Sequence, residues 1–498
     1  MNSSHHAQEH QNVHTQDFVS ERIHMPEKPF RGFLAMLGKD SGRFFGGLAS
    51  QAAAVVLMTS GHFIVRFYVD DAIARQAAAS LFIMIAAVYT LVAVVRGAFS
   101  FLTGRLSSAA AEGVTRRLRN SLFDHLQKLS FTYHDKTQTG ELIQRSTSDV
   151  DSIRRFYAEH MREIARIVLL AIVNFVALST LSWRMAIFGT LVVPIIVVLS
   201  TLFFKKIFAA YDEYQDQDGV VSARVQENLS GVRVVRAFAR QEFELQKFDE
   251  ASSHKLQLGR TLIKAEALYW PISHALCALQ VTAAIGVGAW LVMSDGPASI
   301  TVGTLVAGTA MINQIVWPLQ QLGRLITQLS TSVVSYGRIR EILIEEQEAA
   351  REHEAVHEAH GPGEALQPEE LDHAPVSGQP PVPGQAPVLG SIEVEDVHFS
   401  YDPGVPVLRG ISFAVEPGQK IALLGETGSG KTTLVNLLPR FYEYESGSIR
   451  IDGRELSGLK RAFVRQHIGM VEQEAFLFST TIRNNITYGV DREVSQEE

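Results

Sequence analysis

A single cysteine, Cys277, occurs among 498 residues. Internal disulfides and cysteine-built metal sites are therefore excluded. Cys277 sits in an apolar run and reads as a small core residue. Positive charge is also in short supply: the formal net charge is −8, which argues against nucleic acid as a partner. The acidic surplus gathers in Glu345 to Asp372. No apolar segment opens the chain, so residues 1–24 do not read as a secretory signal. They are polar and carry His5, His6, His10, His14 and His24. A disordered tail is expected there, with weak metal binding as the alternative. Proline is sparse except near Pro375, Pro380, Pro381, Pro383 and Pro387.

Long apolar runs are what the chain has in abundance. A bilayer core of about 30 Å needs about 20 apolar residues in a helix. Six segments qualify: Leu48–Phe67, Leu81–Phe101, Ile164–Leu181, Met185–Phe204, Leu268–Val292 and Val302–Leu322. Ahead of them, Lys28 to Leu48 mixes phenylalanines with lysine and arginine, as in a helix lying at the membrane surface. The loops alternate in length. The short ones carry only Arg75 and Arg184, whereas 104–163 and 205–266 hold most of the Lys and Arg. The positive-inside rule places the long loops and both chain ends in the cytoplasm.

The long loops show helical spacing over Glu112–Phe131, Val150–Ile167 and Val221–Phe248. They are expected to extend the membrane helices as arms of roughly 40 Å, at about 1.5 Å per residue. Arg66, Arg96, His62 and His274 are the ionisable residues within spans, each costly there. Arg66 can snorkel outward. Arg96 is read either as facing a watery cavity and substrate or as an interfacial, structural arginine.

Glu345 to Gly390 is rich in Glu, His and Ala, then in Pro and Gly. That composition cannot bury a core and reads as a spacer. His353, His357 and His360 within it are read as solvated, with weak zinc binding as the alternative. Beyond it, strands are expected at Ile392 to Phe399, Lys420 to Leu424, Ser448 to Ile451 and Ile468 to Val471, with a turn at Gly453.

Gly425-Glu426-Thr427-Gly428-Ser429-Gly430-Lys431-Thr432 satisfies G-x-x-x-x-G-K-[ST] at every fixed position. Such a loop turns successive backbone N–H groups onto phosphates. Lys431 reaches the β/γ-phosphates and the Thr432 hydroxyl holds Mg²⁺. A helix is expected over Thr432–Leu438, so the segment predicts nucleotide binding.

Taken together these residues resemble the ATP-binding cassette (ABC) exporters, in which six spans are fused to one nucleotide-binding domain. Thr139-Gly140-Glu141-Leu142-Ile143, Asp149-Val150 and Glu227 through Phe238 are similar to that family's intracellular loops. Trp317-Pro318-Leu319 and Arg338-Ile339 fit its sixth span. Phe399-Ser400-Tyr401 is similar to its adenine-stacking loop, and Glu472-Gln473-Glu474-Ala475-Phe476-Leu477-Phe478 to its Q-loop.

The resemblance implies that Tyr401 stacks on adenine and that the backbone from Gly425 to Thr433 cradles the phosphates of ATP. It implies that Lys431 offsets charge on the transferred group, and that Thr432 and Gln473 bind Mg²⁺. The family's signature motif, its apolar strand ending in Asp-Glu and its switch histidine do not occur after Gln473. The general base is therefore expected beyond Glu498, the chain reads as C-terminally truncated, and no catalytic residue is assigned. Half-built, such a domain is expected to expose apolar surface.

The fold class expected is a multi-domain membrane protein. It joins an all-α six-helix transmembrane domain with long cytosolic helical extensions to an incomplete α/β P-loop (RecA-like) nucleotide-binding domain. The expected parts are a tail (1–27), a transmembrane domain (28–344), a linker (345–390) and a nucleotide-binding part (391–498). The implied activity is ATP-driven export of a lipophilic or amphipathic drug or lipid across the plasma membrane. A second half-transporter, identical or different, is the implied partner, with membrane lipid around both. Other readings are a heteromeric subunit with a degenerate ATP site, a nucleotide-gated protein that does not transport, and an inactive fragment.

Overall fold

The computed structural model describes residues 23, 25–73, 78–294, 299–348, 388–473, 475–490, 492 and 494–495. The histidines of the tail, Arg75, His353, His357, His360, the prolines of the linker and Glu474 lie outside the described residues. The chain divides into two compact units: Met1–Phe123 with Ile143–Leu343, and Asp124–Leu142 with Ile344–Glu498.

The first unit is helical. A short amphipathic helix α1 (Pro29–Leu37) precedes α2 (Ser41–Phe67) and the long α3 (Ala79–Gln127). Two short helices follow, α4 (Phe131–Lys136) and α5 (Thr139–Gln144). The chain returns through α6 (Val150–Arg155) into α7 (Met161–Leu181), with π-helical turns on either side of α6. Then come α8 (Trp183–Thr190), α9 (Val192–Ser230), α10 (Val232–Ala237), α11 (Gln241–Met293) and α12 (Val302–Ile344).

Six helical stretches are long and apolar enough to cross a membrane, matching the apolar runs of the sequence. The helix expected through Val221–Phe248 is broken twice. Gly231 ends α9, and the chain turns again at Phe238–Arg240, where Ala239 takes φ 49°. That backbone reversal sends α11 back alongside α9.

Small and branched apolar residues hold the spans together. Leu178, Ala186, Ala284, Met311 and Ile312 form one core, and Ile196, Cys277, Ile315 and Leu319 a second. Cys277 is buried there as a small apolar residue. Several polar side chains inside the bundle are paired, as a low dielectric favours. Thr59 donates to buried Asn174 at 2.9 Å; His62 meets Gln314 at 2.8 Å and His274 meets Gln320 at 3.1 Å. Tyr269 donates to the Gln320 carbonyl at 3.1 Å. Arg66 faces Asp70 at 3.5 Å, and Asp70 also accepts from the Gly303 amide at the start of α12.

Before α2, buried Asp40 takes Arg43 at 2.8 Å and also pairs with Arg117 of α3. Arg117 donates to the Met36 and Leu37 carbonyls that end α1, both at 2.9 Å. This packing requires Gly113, where a Cβ would fall 2.1 Å from the Asp40 carboxylate. Phe33 stacks on Phe156 at 3.9 Å, and Tyr157 donates to the Phe33 carbonyl.

The second unit carries an antiparallel sheet in the order β2-β1-β3-β4. Its strands are β1 (Ile392–Ser400), β2 (Pro406–Val415), β3 (Ser446–Ile451) and β4 (Arg454–Glu455). Helices α13 (Lys431–Leu437) and α14 (Arg461–His467) pack on it, and α15 (Ile482–Ile486) comes last. Val394, Val397, Phe399, Leu408, Leu437 and Ile449 make the core.

Two expected strands are absent. Lys420–Leu424 and Ile468–Val471 run as irregular chain, with Leu424 92% and Val471 98% exposed. The reason is pairing: an extended segment becomes a strand only beside another, and among the described residues no strand flanks either. Ile421, Leu423, Leu424 and Val471 are consequently exposed, whereas Ile468 packs against the core.

Candidate functional site

The phosphate loop runs from the end of the 420–424 segment into α13. Gly428 (φ 85°) and Gly430 (φ 90°) lie in the left-handed region that glycine adopts without strain. At Gly430 a Cβ would also meet Leu408 at 2.7 Å. The Leu434 amide bonds the Gly430 carbonyl at 2.9 Å, so the helix begins directly at the loop. Lys431 curls back over it: Nζ donates to the carbonyls of Gly425 (2.9 Å) and Glu426 (2.7 Å) and to Ser429 Oγ (3.3 Å). The Thr432 side chain is exposed. The loop thus presents a cation, a free hydroxyl and turned backbone, a donor set suited to a polyphosphate and a hard cation.

Tyr401 follows β1. Its hydroxyl donates to Thr433 Oγ1 at 3.2 Å, which ties the ring to the first turn of α13. Phe399 and Tyr442 meet it edge-on, at 4.9 Å and 5.1 Å between ring centres. The ring remains 42% exposed, leaving surface on which a planar base can lie. The structure therefore brings Tyr401, Thr433 and the phosphate loop together. Gln473 is not joined to them: it lies exposed on a bend, and no hydrogen bond links it to Thr432 among the described residues.

The same unit includes the turn between α3 and α5, and α4 packs beside Tyr401. Phe131 of α4 stacks on Phe441 at 4.0 Å, with the Arg465 guanidinium over both rings. The Tyr442 hydroxyl donates to Asp135 of α4. Burial, and then that bond to Asp135, push the Tyr442 phenol well above its ordinary range. Arg465 also grips Glu348 with two nitrogens, at 2.9 and 2.8 Å. A cavity of about 620 Å³ opens among these groups, with Tyr401, Asp402, Tyr442, Thr132, Asp135 and Lys136 in its wall.

Reading the sequence identified Tyr401 and the loop but not Tyr442 or Asp135. Nothing in local spacing marks a contact between residues 307 positions apart. Glu348, counted with the linker, is instead held by α14. Among the described residues no group of three or more His, Cys, Asp or Glu forms a metal site.

Comparison with known proteins places these features. Residues 44–319 match the family model described as "ABC transporter transmembrane region", and residues 408–498 match the one described as "ABC transporter". The chain is 29% identical over 402 residues to the uncharacterized ABC transporter ATP-binding protein YknU of Bacillus subtilis, covering 80% of this chain and 64% of that protein. It is 29% identical over 385 residues to the fatty acid ABC transporter ATP-binding/permease protein of Mycobacterium bovis, covering 77% and 56%. With the ATP-dependent lipid A-core flippase of Syntrophus aciditrophicus it shares 27% over 466 residues, covering 92% and 71%. The chain thus spans less than two thirds of the length of the first two. The membrane-region match alone takes in more than half of the chain and coincides with its apolar helices. With a phosphate loop inside the second matched region, this multi-pass membrane protein belongs to the ABC transporter family, whose nucleotide-binding region implies ATP binding.

Proposed function

We propose that the chain is part of an ATP-driven exporter half-transporter that moves an amphipathic or lipophilic molecule, a drug or a lipid, across the plasma membrane. One observation carries this reading: the phosphate loop, Tyr401 and α4, which belongs to the first long loop between spans, lie in one compact unit. A nucleotide stacked on Tyr401 then sits next to chain that leads directly into two spans.

In this reading Tyr401 stacks on adenine and Gly425, Glu426, Thr427, Gly428, Ser429, Gly430 and Thr433 surround the phosphates. Lys431 leaves its carbonyl partners to neutralise phosphate charge. Thr432 and Gln473 hold Mg²⁺, which supplies electrostatic stabilisation to the phosphates when bound. Gln473 must move to do so, since it has no bond to the loop. Both chain ends and the second unit are cytoplasmic.

A second half-transporter is the proposed partner. The turn around α10 supports that, because Leu229, Val234 and Phe238 are all exposed there. Relatives named for lipid A-core and fatty acid support a lipid-like substrate. In proteoliposomes carrying the gene product, ATP is expected to drive uptake of a lipophilic dye or lipid, and Lys431→Ala to abolish it. ATP hydrolysis that moves no amphiphile at all would favour a nucleotide-gated protein that does not transport.

A further inference from the structure

The chain leaves α12 at Ile344 and is caught within four residues. Gln347 forms a bridge with Leu129 and donates through Nε2 to His125 Nδ1 at 2.9 Å. The Glu348 amide donates to the Lys128 carbonyl at 2.8 Å. The Glu348 carboxylate takes both terminal nitrogens of Arg465 in α14, at 2.9 and 2.8 Å, and faces Arg461 Nε at 3.5 Å. All of these groups belong to the second unit. A second anchor stands where β1 begins. The Asp452 carboxylate accepts there from the amides of Leu389, Gly390 and Ser391, at 2.7, 3.3 and 2.8 Å.

Arg465 is held by more than Glu348. Its Nε donates to the Pro439 carbonyl at 3.0 Å, and one terminal nitrogen also donates to the Arg440 carbonyl at 2.9 Å. Those carbonyls follow α13, whose other end is the phosphate loop, about 10 Å away at 1.5 Å per residue. One guanidinium thus joins the exit of α12 to the helix that carries Lys431. Its planar fork fixes direction in a way a lone ammonium does not. The anchors are also close to each other. Asp452 and Arg461 are nine positions apart, so at most about 30 Å separates them at 3.3–3.6 Å per residue. Residues 349–387, outside the described residues, are chain enough to reach about four times as far when extended. While both anchors hold, that segment cannot be drawn taut and no load passes along it.

We propose that Glu348 is the point at which the nucleotide-binding part is fastened to the helix leading out of the sixth span, through its ion pair with Arg465, and that residues 349–387 are a loop closed on that same part. Movement of the helix end is then delivered to α13 through Glu348 and Arg465, whatever the length of the linker. Both partners are mostly shielded from water, so the pair contributes more than a surface ion pair does. None of this needs the exporter reading, and its test reads association rather than ATP use or transport.

A protease site is inserted between Gly378 and Gln379, and the purified, folded chain is cut in detergent. Glu348 and α4 then lie in one fragment and α14 in the other. The two are expected to stay together on size exclusion. Glu348→Gln should raise the dissociation constant of the cut pair about tenfold, as loss of a charge-assisted contact predicts. Arg465→Lys, which keeps the charge and loses the fork, should weaken it as well, and adding Glu348→Gln to it should weaken it little further. Added salt should loosen the wild-type pair more steeply than the Glu348→Gln pair, a response that mere loss of packing does not give. Arg454→Gln, an exposed change on β4, should leave the pair as it was. Deleting residues 358–377 from the uncut chain leaves 349–357 and 378–387, which still reach about 60 Å, and should leave the unfolding temperature unchanged. Separation of the wild-type fragments on cutting, or a Glu348→Gln pair as tight as wild type, would overturn the proposal. A lowered unfolding temperature in the deletion variant would overturn its linker component.

Discussion

Tyr442 is the residue through which the adenine-side ring touches α4, and Tyr442→Phe isolates that link. The substitution keeps the edge-on contact with Tyr401 and the tilted one with Phe399, and removes only the hydroxyl that donates to Asp135. A hydrogen bond to a charged group contributes about 1.5–3 kcal/mol net. Asp135 is exposed and Tyr442 half-buried, so about 1–1.5 kcal/mol is the reasonable share.

Local opening of α4 should become roughly tenfold more frequent, which hydrogen exchange of the 131–136 amides reads directly. ATP affinity should change less than twofold, since the ring still supports Tyr401. Tyr442→Ala removes the support too. Deleting a fully buried aromatic costs about 3–5 kcal/mol, so about 2 for this half-buried one, and ATP affinity should fall about fivefold. Tyr442→Phe combined with Asp135→Ala should be no worse than either change alone. Unchanged exchange in Tyr442→Phe, or additive losses in the double variant, would refute the link.

Other expectations concern the scaffold. Gly113→Ala drives a methyl into the Asp40 carboxylate and breaks its pairing with Arg117. Breaking a buried pair costs about 3–5 kcal/mol, and alanine returns about 1 in helix propensity. A net loss of about 2–4 kcal/mol should appear as a lowered unfolding temperature in detergent. Asp452 accepts from the amides of Ser391 and Leu389 at 2.8 and 2.7 Å. Burial alone would raise its carboxyl, but these bonds outweigh it and hold the group below its usual range. A depressed carboxyl stabilises the fold above its unfolded value of about 3.9 and loses that contribution as pH falls below it. The second unit of Asp452→Ala should therefore lose less stability than wild type on acidification from pH 5 to 3, followed by tyrosine fluorescence.

The burial of Tyr444 and its bond to Glu455 push that phenol up to about 12. With an unfolded value near 10, its contribution is present below that pH and lost as pH rises towards 12. Tyr444→Phe should therefore lose less stability than wild type as pH rises from 10 to 12, measured by denaturant unfolding at each pH.

How far the sequence disclosed all this depended on the range of the force involved. The spans were legible because bilayer thickness sets their length, and six apolar runs met it. The phosphate loop was legible because positive φ at Gly430 demands glycine at a fixed position of the pattern, directly before Lys431. Lys420–Leu424 and Ile468–Val471 have the composition of strands, but composition is silent about whether a neighbour exists to bond them. The grip of Arg465 on Glu348 and the bond from Tyr442 to Asp135 join distant positions, so no local pattern announces them. Arg96 could be recognised as costly in its span.

Binding of ATP to the chain, measured with a fluorescent ATP analogue in the presence of Mg²⁺, tests the central claim most directly. Saturable binding that competes with unlabelled ATP is expected. Lys431→Ala should abolish it, and Tyr401→Ala should weaken it about tenfold, as loss of one base-stacking platform implies. Binding that survives Lys431→Ala unchanged, or none at all in a folded wild-type chain, would contradict the account.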